Sequence, residues 1–138
     1  MYQRVDKKLN RIFDANFNRA KEGLRVCEDI CRFILDAKGP TRDYKTIRHE
    51  LTSMMGALRL SEVISARDTG RDVGRGSTGA EFKRRGTVDI FFANSQRAKE
   101  SIRVLEEFSK LRDKKLAEKL KKLRYKIYAL EKKVVERC

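Results

Sequence analysis

Two stretches of this sequence repeat each other at an offset of 78 residues: Asn16-Phe-Asn-Arg-Ala-Lys-Glu-Gly-Leu-Arg-Val-Cys-Glu28 and Asn94-Ser-Gln-Arg-Ala-Lys-Glu-Ser-Ile-Arg-Val-Leu-Glu106. The identical positions include Asn, Arg, Lys and Glu as well as apolar residues. Any two amphipathic helices share apolar positions, but helix packing does not require repeated polar ones. We therefore expect the repeated polar residues to do something besides fold the chain.

Apolar residues around both stretches recur at alternating steps of four and three, the heptad pattern of helices that pack in a bundle. A first helix is predicted from about Asp6 to Ala37, and Gly39-Pro40 is expected to end it. A third helix is predicted from about Thr87 to Leu111. The two seams are Phe13, Phe17, Ala20, Leu24, Cys27, Cys31 and Ile34 in the first, and Phe91, Ser95, Ala98, Ile102 and Leu105 in the third.

The second helix of each half also repeats. One is predicted from about Arg42, after a Thr41 cap, to Ala66, and the other from about Lys114 to Glu136. Their seams are Tyr44, Ile47, Leu51, Met54 and Leu58, and Leu116, Leu120, Leu123, Ile127, Leu130 and Val134. An offset of 76 aligns Lys45, Ile47, Arg48 and Leu51 with Lys121, Leu123, Arg124 and Ile127.

These patterns predict an all-α fold, a four-helix bundle built from a duplicated helical hairpin. Residues 1–138 form a single helical domain with halves at about 1–66 and 84–138. A Gly/Arg-rich loop and a short helix, residues 67–83, connect the halves, and Thr78 and Glu81 read as the capping-box pair of that helix.

The chain has 34 Lys and Arg against 20 Asp and Glu, a net charge of +14. Such a charge suits a solvated surface, or an anionic partner: nucleic acid, a membrane surface or a phosphorylated small molecule. No apolar run is long enough to span a membrane. Cys27 and Cys31 lie four apart on an apolar helix face, which predicts buried thiols and a cytoplasmic protein.

The loop Arg67-Asp-Thr-Gly-Arg-Asp-Val-Gly-Arg-Gly-Ser-Thr-Gly79 is longer than a bundle connection requires. Its glycines allow backbone N–H groups to converge on an anion, and its arginines can clamp phosphate. Asp68 and Asp72 are candidate Mg²⁺ ligands. The loop thus has the parts that phosphoryl transfer needs. A mobile, solvated linker is the alternative interpretation.

The repeated helices place an Asn, an Arg and a Glu beside each seam: Asn16, Arg19 and Glu22, and Asn94, Arg97 and Glu100. Surface ion pairs would explain one such set, but two identical sets favour a functional interpretation. Gly23, in the middle of a helix, costs about 1 kcal/mol relative to Ala. It predicts a close neighbour, either a helix or a ligand.

Several motifs resemble a helical module often found fused to the N-terminal side of thiamine-phosphate synthase, described as a second, unrelated type of hydroxymethylpyrimidine phosphate kinase. They are Asp14–Asp29, Arg32-Phe33, Ala66–Gly74 and Asn94–Glu107, and the similarity extends from about Arg11 to Leu130. Two features depart from the family. The synthase barrel is missing, which suggests a stand-alone version, and Gly70 lies one position early, with Arg71 immediately before Asp72.

The resemblance implies ATP-dependent phosphorylation of 4-amino-5-hydroxymethyl-2-methylpyrimidine phosphate to the diphosphate, in thiamine biosynthesis. ATP and Mg²⁺ would be its cofactors and thiamine-phosphate synthase a possible partner. We predict that Arg19, Arg97, Arg67 and Asp68 are catalytic and that Asp68 and Asp72 hold the metal. The predicted substrate-binding residues are Asn16, Glu22, Asn94, Glu100, Arg71, Asp72 and Gly74.

A basic helical module without enzymatic activity is the competing class. It would bind nucleic acid, a thiamine intermediate or a partner protein. We expect nucleic acid to be the weaker alternative, because aromatic residues are not expected to interleave with basic ones on an exposed face. Tyr125, Tyr128 and Val135 lie off the seam of the last helix, where they would suit a homodimer face.

Overall fold

A computed structural model of the chain describes residues 2–56, 58–79 and 84–138, with side chains from residue 6 onward. Within these residues the chain is all-helical and has no strand, as the heptad seams predict. A π-helical turn, Ile30–Ile34, follows the first helix, and a 3-10 turn, Thr69–Arg71, lies in the long loop. The α-helices are α1 Tyr2–Asp29, α2 Lys38–Met55, α3 Leu60–Ser65, α4 Thr87–Ser109 and α5 Lys114–Val135.

The four long helices surround one apolar core. α1 packs against α4 and α2, and α5 packs against the same two helices from the other side. α1 and α4 are antiparallel: Cys27 Sγ lies 3.8 Å from the carbonyl oxygen of Phe91, whereas Arg112, just beyond α4, donates to Asn10 Oδ1 at 2.8 Å. Side chains from all five helices contribute to the core.

Gly23 lies on α1 directly against the backbone of α4. A Cβ placed on Gly23 would be 2.7 Å from the carbonyl oxygen of Asn94 and 3.5 Å from Cβ of Ala98. The second distance is an ordinary van der Waals contact, but the first is too short for a methyl group beside a backbone atom, so the glycine is needed for helix packing. The sequence predicted either a helix or a ligand beside Gly23, and the structure shows that the neighbour is a helix.

The first helix ends differently from the prediction. Gly39 and Pro40 do not stop α1; they lie in the first turn of α2, where the missing N–H of proline has no helical partner to lose. The reversal is made at Asp36, which has a φ of 47°. Thr41 is no cap, because its hydroxyl donates back to the carbonyl oxygen of Ala37 at 2.7 Å. Ile34 is 52% exposed, because the wider π-turn shifts the seam out of register.

The second predicted helix is two helices. α2 ends at Met55 with Gly56 at its C-cap, and the chain resumes helical geometry in α3. The seam shifts at this point, so that Met55 is buried and Met54 only half-buried. The predicted bounds of α4 and α5 agree with the structure to within two residues, and Asp113 caps α5 by accepting from two backbone N–H groups. The short helix expected near Thr78 and Glu81 lies largely outside the described residues.

Several of the repeated charged residues serve the fold. Glu28 is buried and accepts from Arg48 Nε at 3.2 Å, which joins α1 to α2. Glu106 is likewise buried and accepts from Arg124 at 3.2 Å, which joins α4 to α5. Thus each helical hairpin is held by the same interhelical ion pair. For Glu28 and Glu106, the expectation that the repeated polar residues do something besides fold the chain was therefore wrong.

The same network extends along the repeated helices. Arg25 lies 3.4 Å from Asp29, and Arg103 lies 3.0 Å from Glu106. Burial lowers the pKa of the Arg124 guanidinium, but its hydrogen bonds to Glu106 and Tyr128 outweigh that effect and raise it. Arg124 therefore stays charged within the interface between α4 and α5.

Among the residues that the structure describes, no helix combines the length and apolar character needed to cross a membrane. Cys27 and Cys31 are free thiols that are both fully buried, as their spacing predicts. Burial raises the pKa of Cys27 to about 12 and that of Cys31 to about 11. Both side chains are therefore neutral core residues at physiological pH.

Candidate active site

A cleft of about 500 Å³ opens between α1 and the loop that follows α3. We call it the mixed cleft, because cationic and anionic side chains both line it. The α1 residues recur at steps of three and four, so they form one stripe of the helix surface. The lining residues are Lys8, Arg11, Ile12, Asp14, Ala15, Asn16, Asn18, Arg19, Arg67, Asp68, Thr69 and Asp72.

One ion pair fixes the loop over α1. Arg67 donates two hydrogen bonds to the carboxylate of Asp14, from Nη2 to Oδ1 at 2.6 Å and from Nε to Oδ2 at 2.7 Å. This is the bidentate geometry that makes Arg–carboxylate pairs strong and directional. Asp14 is 5% exposed, and its hydrogen bonds raise the pKa of Arg67. Arg67, predicted as catalytic, therefore also positions the loop.

Asp14 was not among the predicted site residues. It belongs to the stretch that carries the family resemblance, but its position is not repeated: the equivalent residue at the 78-residue offset is Phe92. A search for repeated residues could not find it. The available signal was an acidic side chain on the helix face that also carries Asn18 and Arg11, opposite an arginine-rich loop.

The two predicted metal ligands organise the loop backbone. Asp68 caps the 3-10 turn by accepting from the N–H of Arg71 at 3.2 Å, and Asp72 accepts from the N–H of Gly74 at 3.0 Å. In both residues the bonded atom is Oδ1. Each carboxylate has a second oxygen, and that of Asp68 lies 3.5 Å from Arg71 Nε.

Two carboxylates beside a cleft fit Mg²⁺, which is usually held by one or two carboxylates together with water and substrate phosphates. The described residues contain no cluster of three or more His, Cys, Asp and Glu side chains of the kind that holds a metal without a substrate. Asp68 and Asp72 would thus hold Mg²⁺ with the help of phosphate oxygens. Their assignment as ligands stays a prediction.

The structure brings five of the predicted residues together, and all five line the mixed cleft: Asn16, Arg19, Arg67, Asp68 and Asp72. Arg71 faces an adjoining cleft, while Gly74 donates to Asp72. Glu22 is exposed on α1. The three predicted residues of the second copy, Asn94, Arg97 and Glu100, lie on α4, whereas the lining of the mixed cleft comes from α1 and the loop.

The repeated asparagines have the same local role. Asn16 Nδ2 donates to the carbonyl oxygen of Ile12 at 2.9 Å, and Asn94 Nδ2 donates to that of Ile90 at 2.8 Å. Each side chain therefore bonds to its own helix one turn earlier and keeps its amide oxygen for another partner. On α4, Glu100 accepts from Gln96 Nε2 at 2.9 Å. Lys99, also on α4, pairs with Glu131 of α5 at 2.7 Å.

Residues 11–133 match the ThiD2 family. The chain belongs to the ThiD2 family. The matched range includes α1 from Arg11 onward, the loop with Arg67, Asp68 and Asp72, α4 and nearly all of α5. The mixed cleft is therefore built largely from residues inside the family region.

Curated relatives of this ThiD2 chain carry the name thiamine-phosphate synthase. The protein from Synechocystis sp. is 41% identical over 132 residues, which cover 95% of this chain and 37% of that protein. The one from Thermosynechococcus vestitus is 39% identical, covering 91% and 35%, and that from Rhodopirellula baltica is 40% identical, covering 86% and 32%. The chain spans about a third of the length of these relatives. No solved structure matches it.

Proposed function

We propose that this ThiD2 chain transfers a phosphoryl group from ATP to 4-amino-5-hydroxymethyl-2-methylpyrimidine phosphate and forms the diphosphate, in thiamine biosynthesis. Family membership and relatives named thiamine-phosphate synthase support the pathway. The observation that carries the reaction is the mixed cleft, in which arginines and aspartates converge on one space of about 500 Å³. The product would serve thiamine-phosphate synthase as a substrate.

The reaction joins a phosphate to a phosphate. An oxygen of the acceptor's phosphate bonds to the γ-phosphorus of ATP, the bond between that phosphorus and the β,γ-bridging oxygen breaks, and ADP leaves with the electron pair. Because the attacking oxygen is already anionic, the step needs no general base. It needs cations that neutralise the crowded negative charge and groups that hold the two phosphates in line.

The side chains of the mixed cleft suit these tasks. Arg19 is exposed at the cleft and can contact the acceptor's phosphate, while Arg11 projects from the same stripe of α1. The amide of Asn16 can orient the aminopyrimidine. The ion pair between Arg67 and Asp14 holds the loop against α1 and so fixes the loop side chains beside the reacting groups.

Asp68 and Asp72 would bind Mg²⁺ at the loop side of the cleft. The bound ion would supply positive charge to the phosphate oxygens during transfer. Both aspartates keep the loop folded through their Oδ1 atoms, so the loop conformation and ligand binding are coupled. We also propose that this activity is cytoplasmic, which the free thiols Cys27 and Cys31 support.

The test is a coupled assay of ADP release with purified protein, ATP, Mg²⁺ and the pyrimidine phosphate. We expect turnover that depends on both substrates and on Mg²⁺, and a loss of about tenfold or more in kcat/KM for Asp72→Asn. A folded protein that shows no turnover under these conditions would refute the kinase proposal. Unchanged activity in Asp72→Asn would refute only the metal assignment.

A second candidate function rests on α5. Exposed aromatic side chains were not expected among the basic ones, but Tyr125 and Tyr128 are 57% and 45% exposed, with ring centroids 6.1 Å apart. Exposed Lys121 and Lys122 precede them. Single-stranded RNA would stack on such rings. Loss of RNA binding in Tyr125→Ala would support this candidate. RNA binding that persists in this variant would show only a nonspecific attraction between charges.

A further inference from the structure

A second cleft of about 490 Å³ adjoins the mixed cleft at the N-terminal end of the same stripe on α1. We call it the cationic cleft. It is lined by five basic side chains and one carboxylate, a difference of +4, whereas the mixed cleft has four basic and three acidic ones, a difference of +1. The charged residues of the cationic cleft are Lys7, Lys8, Arg11, Arg67, Arg71 and Asp68.

Most of this positive charge is available to a ligand. Arg67 is neutralised by Asp14, but Lys7 and Lys8 are exposed. Arg11 makes a bond of 3.5 Å to the backbone carbonyl oxygen of Asp68, which is at the long limit for a hydrogen bond. Arg71 is 86% exposed and lies 3.5 Å from the carboxylate of Asp68. An anion of higher charge would compete with both of these contacts.

The two clefts share a border. Lys8, Arg11, Arg67 and Asp68 line both of them, so a ligand that extends from one to the other would pass beside Arg11. The carboxylate of Asp72 lines the mixed cleft alone. An elongated anion in the cationic cleft would therefore present one end to the carboxylates and arginines of the mixed cleft.

The second copy keeps only one of the three α1 cations. At the 78-residue offset, Lys7 corresponds to Arg85, Lys8 to Gly86 and Arg11 to Asp89. Asp89 accepts from the backbone N–H of Arg85, which precedes α4. The corresponding surface of α4 therefore has an acidic side chain where α1 has Arg11.

We propose that the cationic cleft binds a linear chain of phosphates, the triphosphate of the nucleotide, with its terminal phosphate beside Arg11. The assignment to a nucleotide rests on the proposed function, because the kinase reaction requires a triphosphate donor. The acceptor then occupies the mixed cleft. Both substrates are thus placed on the first copy of the repeat, on α1 and the loop.

The experiment measures binding of inorganic tripolyphosphate and of ATP by calorimetry at low ionic strength. We expect the double variant Lys7→Gln/Lys8→Gln, and separately Arg11→Gln, to weaken the binding of both ligands by about tenfold or more, since each charge-assisted hydrogen bond is worth roughly that factor. The matched control is Lys121→Gln/Lys122→Gln, which removes the same charge from exposed positions of α5. It should change the affinity by less than about twofold. All of these substitutions are of exposed or half-buried side chains, and circular dichroism confirms the fold.

Equal losses in the site and control variants would overturn the proposal, because the binding would then follow net charge. Unchanged affinity in Lys7→Gln/Lys8→Gln and in Arg11→Gln would also overturn the proposal. If the assay shows no kinase turnover but tripolyphosphate binding follows the expected pattern, the proposed function fails and the phosphate site stands. If the kinase is active and its KM for ATP is unchanged in Lys7→Gln/Lys8→Gln, the phosphate site fails and the function stands.

Discussion

Residues 14 and 92 occupy the same position in the two copies of the repeat, and they differ more than most pairs. In the first copy Asp14 is buried and holds Arg67 through two hydrogen bonds. In the second copy Phe92 is 42% exposed and packs edge-on against Phe91. The loop is therefore fixed over α1, and the mixed cleft forms there.

The comparison separates two kinds of repeated residue. Glu28 and Glu106 have the same partner type and the same burial in both copies, so they serve the fold. Arg19 and Arg97 are both exposed, but Arg19 alone of the two lines the mixed cleft. Identical residues thus acquire different surroundings because the loop is present on one side.

Loss of a repeated ion pair should have the largest effect, and it should affect stability. We expect Glu106→Gln to lower the free energy of unfolding by about 3 kcal/mol, because Arg124 is left buried without its charge partner. Glu28→Gln should cost somewhat less, about 2 kcal/mol, since Arg48 is more exposed. Urea denaturation measures both. In the control, Glu107→Gln, an exposed carboxylate is lost and the change should stay below about 1 kcal/mol.

Gly23→Ala tests the close approach of α1 and α4. The added methyl group meets the Asn94 carbonyl oxygen, and overpacking of this kind costs about 1–3 kcal/mol. Gly39→Ala is the matched control: its Cβ would meet no atom within 4 Å, so better helix propensity should make it neutral or slightly stabilising. Thermal unfolding of the two variants compares them, and a Gly23→Ala protein as stable as the parent would contradict the packing explanation.

Asp14→Asn should weaken the ion pair with Arg67, which only the first copy of the repeat has, without changing the size of the side chain. We expect kcat/KM in the kinase assay to fall by about tenfold or more, because the neutral amide no longer matches the two donors of Arg67. The melting temperature should change little, since Arg67 is half-exposed and can be solvated. A variant with normal activity would show that the loop holds its position without this ion pair.

Arg19→Gln and Arg97→Gln compare equivalent residues directly. The first should reduce kcat/KM by about tenfold and the second by less than about threefold, because Arg19 lines the cleft. The prediction from the repeat is that both arginines are catalytic. Equal losses would favour it and would require a conformation in which α4 reaches the substrates.

The smallest effect concerns the thiols, which distinguish the first copy from the second: Cys27 and Cys31 correspond to Leu105 and Ser109. Burial raises the pKa of both thiols above the 9.0 of an exposed cysteine, to about 12 and about 11. The unfolded chain therefore loses these protons first as the pH rises. The stability that these two thiols contribute should be constant below pH 8 and decline above about pH 9.

Urea denaturation at pH 7, 8, 9 and 10 measures this dependence, and Cys27→Leu, which copies the second half, should reduce it. The same burial predicts slow labelling of Cys27 and Cys31 by a thiol reagent at pH 8, while the exposed Cys138 reacts quickly. Fast labelling of all three thiols in the folded protein would contradict the burial.

The sequence predicts the bounds of those helices that are determined by a local heptad pattern and a capping residue. α4 and α5 follow unbroken heptad seams, and the Asp113 cap lies between them, so their bounds agree closely with the structure. The interhelical ion pairs also had a signal, since Arg48 and Arg124 recur together with Glu28 and Glu106. The repeated polar residues were nevertheless expected to do something besides fold the chain.

Other features depend on tertiary contacts that no local pattern encodes. The π-turn at Ile30–Ile34 adds a residue to one turn and moves Ile34 outward, although the apolar spacing is unbroken. The bond between Asp14 and Arg67 joins residues 53 positions apart. For this reason the loop residues of the candidate site were found from their chemistry, while the residue that places them was missed.

The difference between Asp14 and Phe92 has a consequence for how such a protein can be built. Two identical hairpins associating as a twofold dimer would carry every substitution twice, so an acid on one side would also appear on the other. A single polypeptide that contains both hairpins is free of this constraint. The peptide linkage between the halves thus does more than raise their local concentration: it allows one half to acquire a loop anchor while the other keeps an aromatic surface.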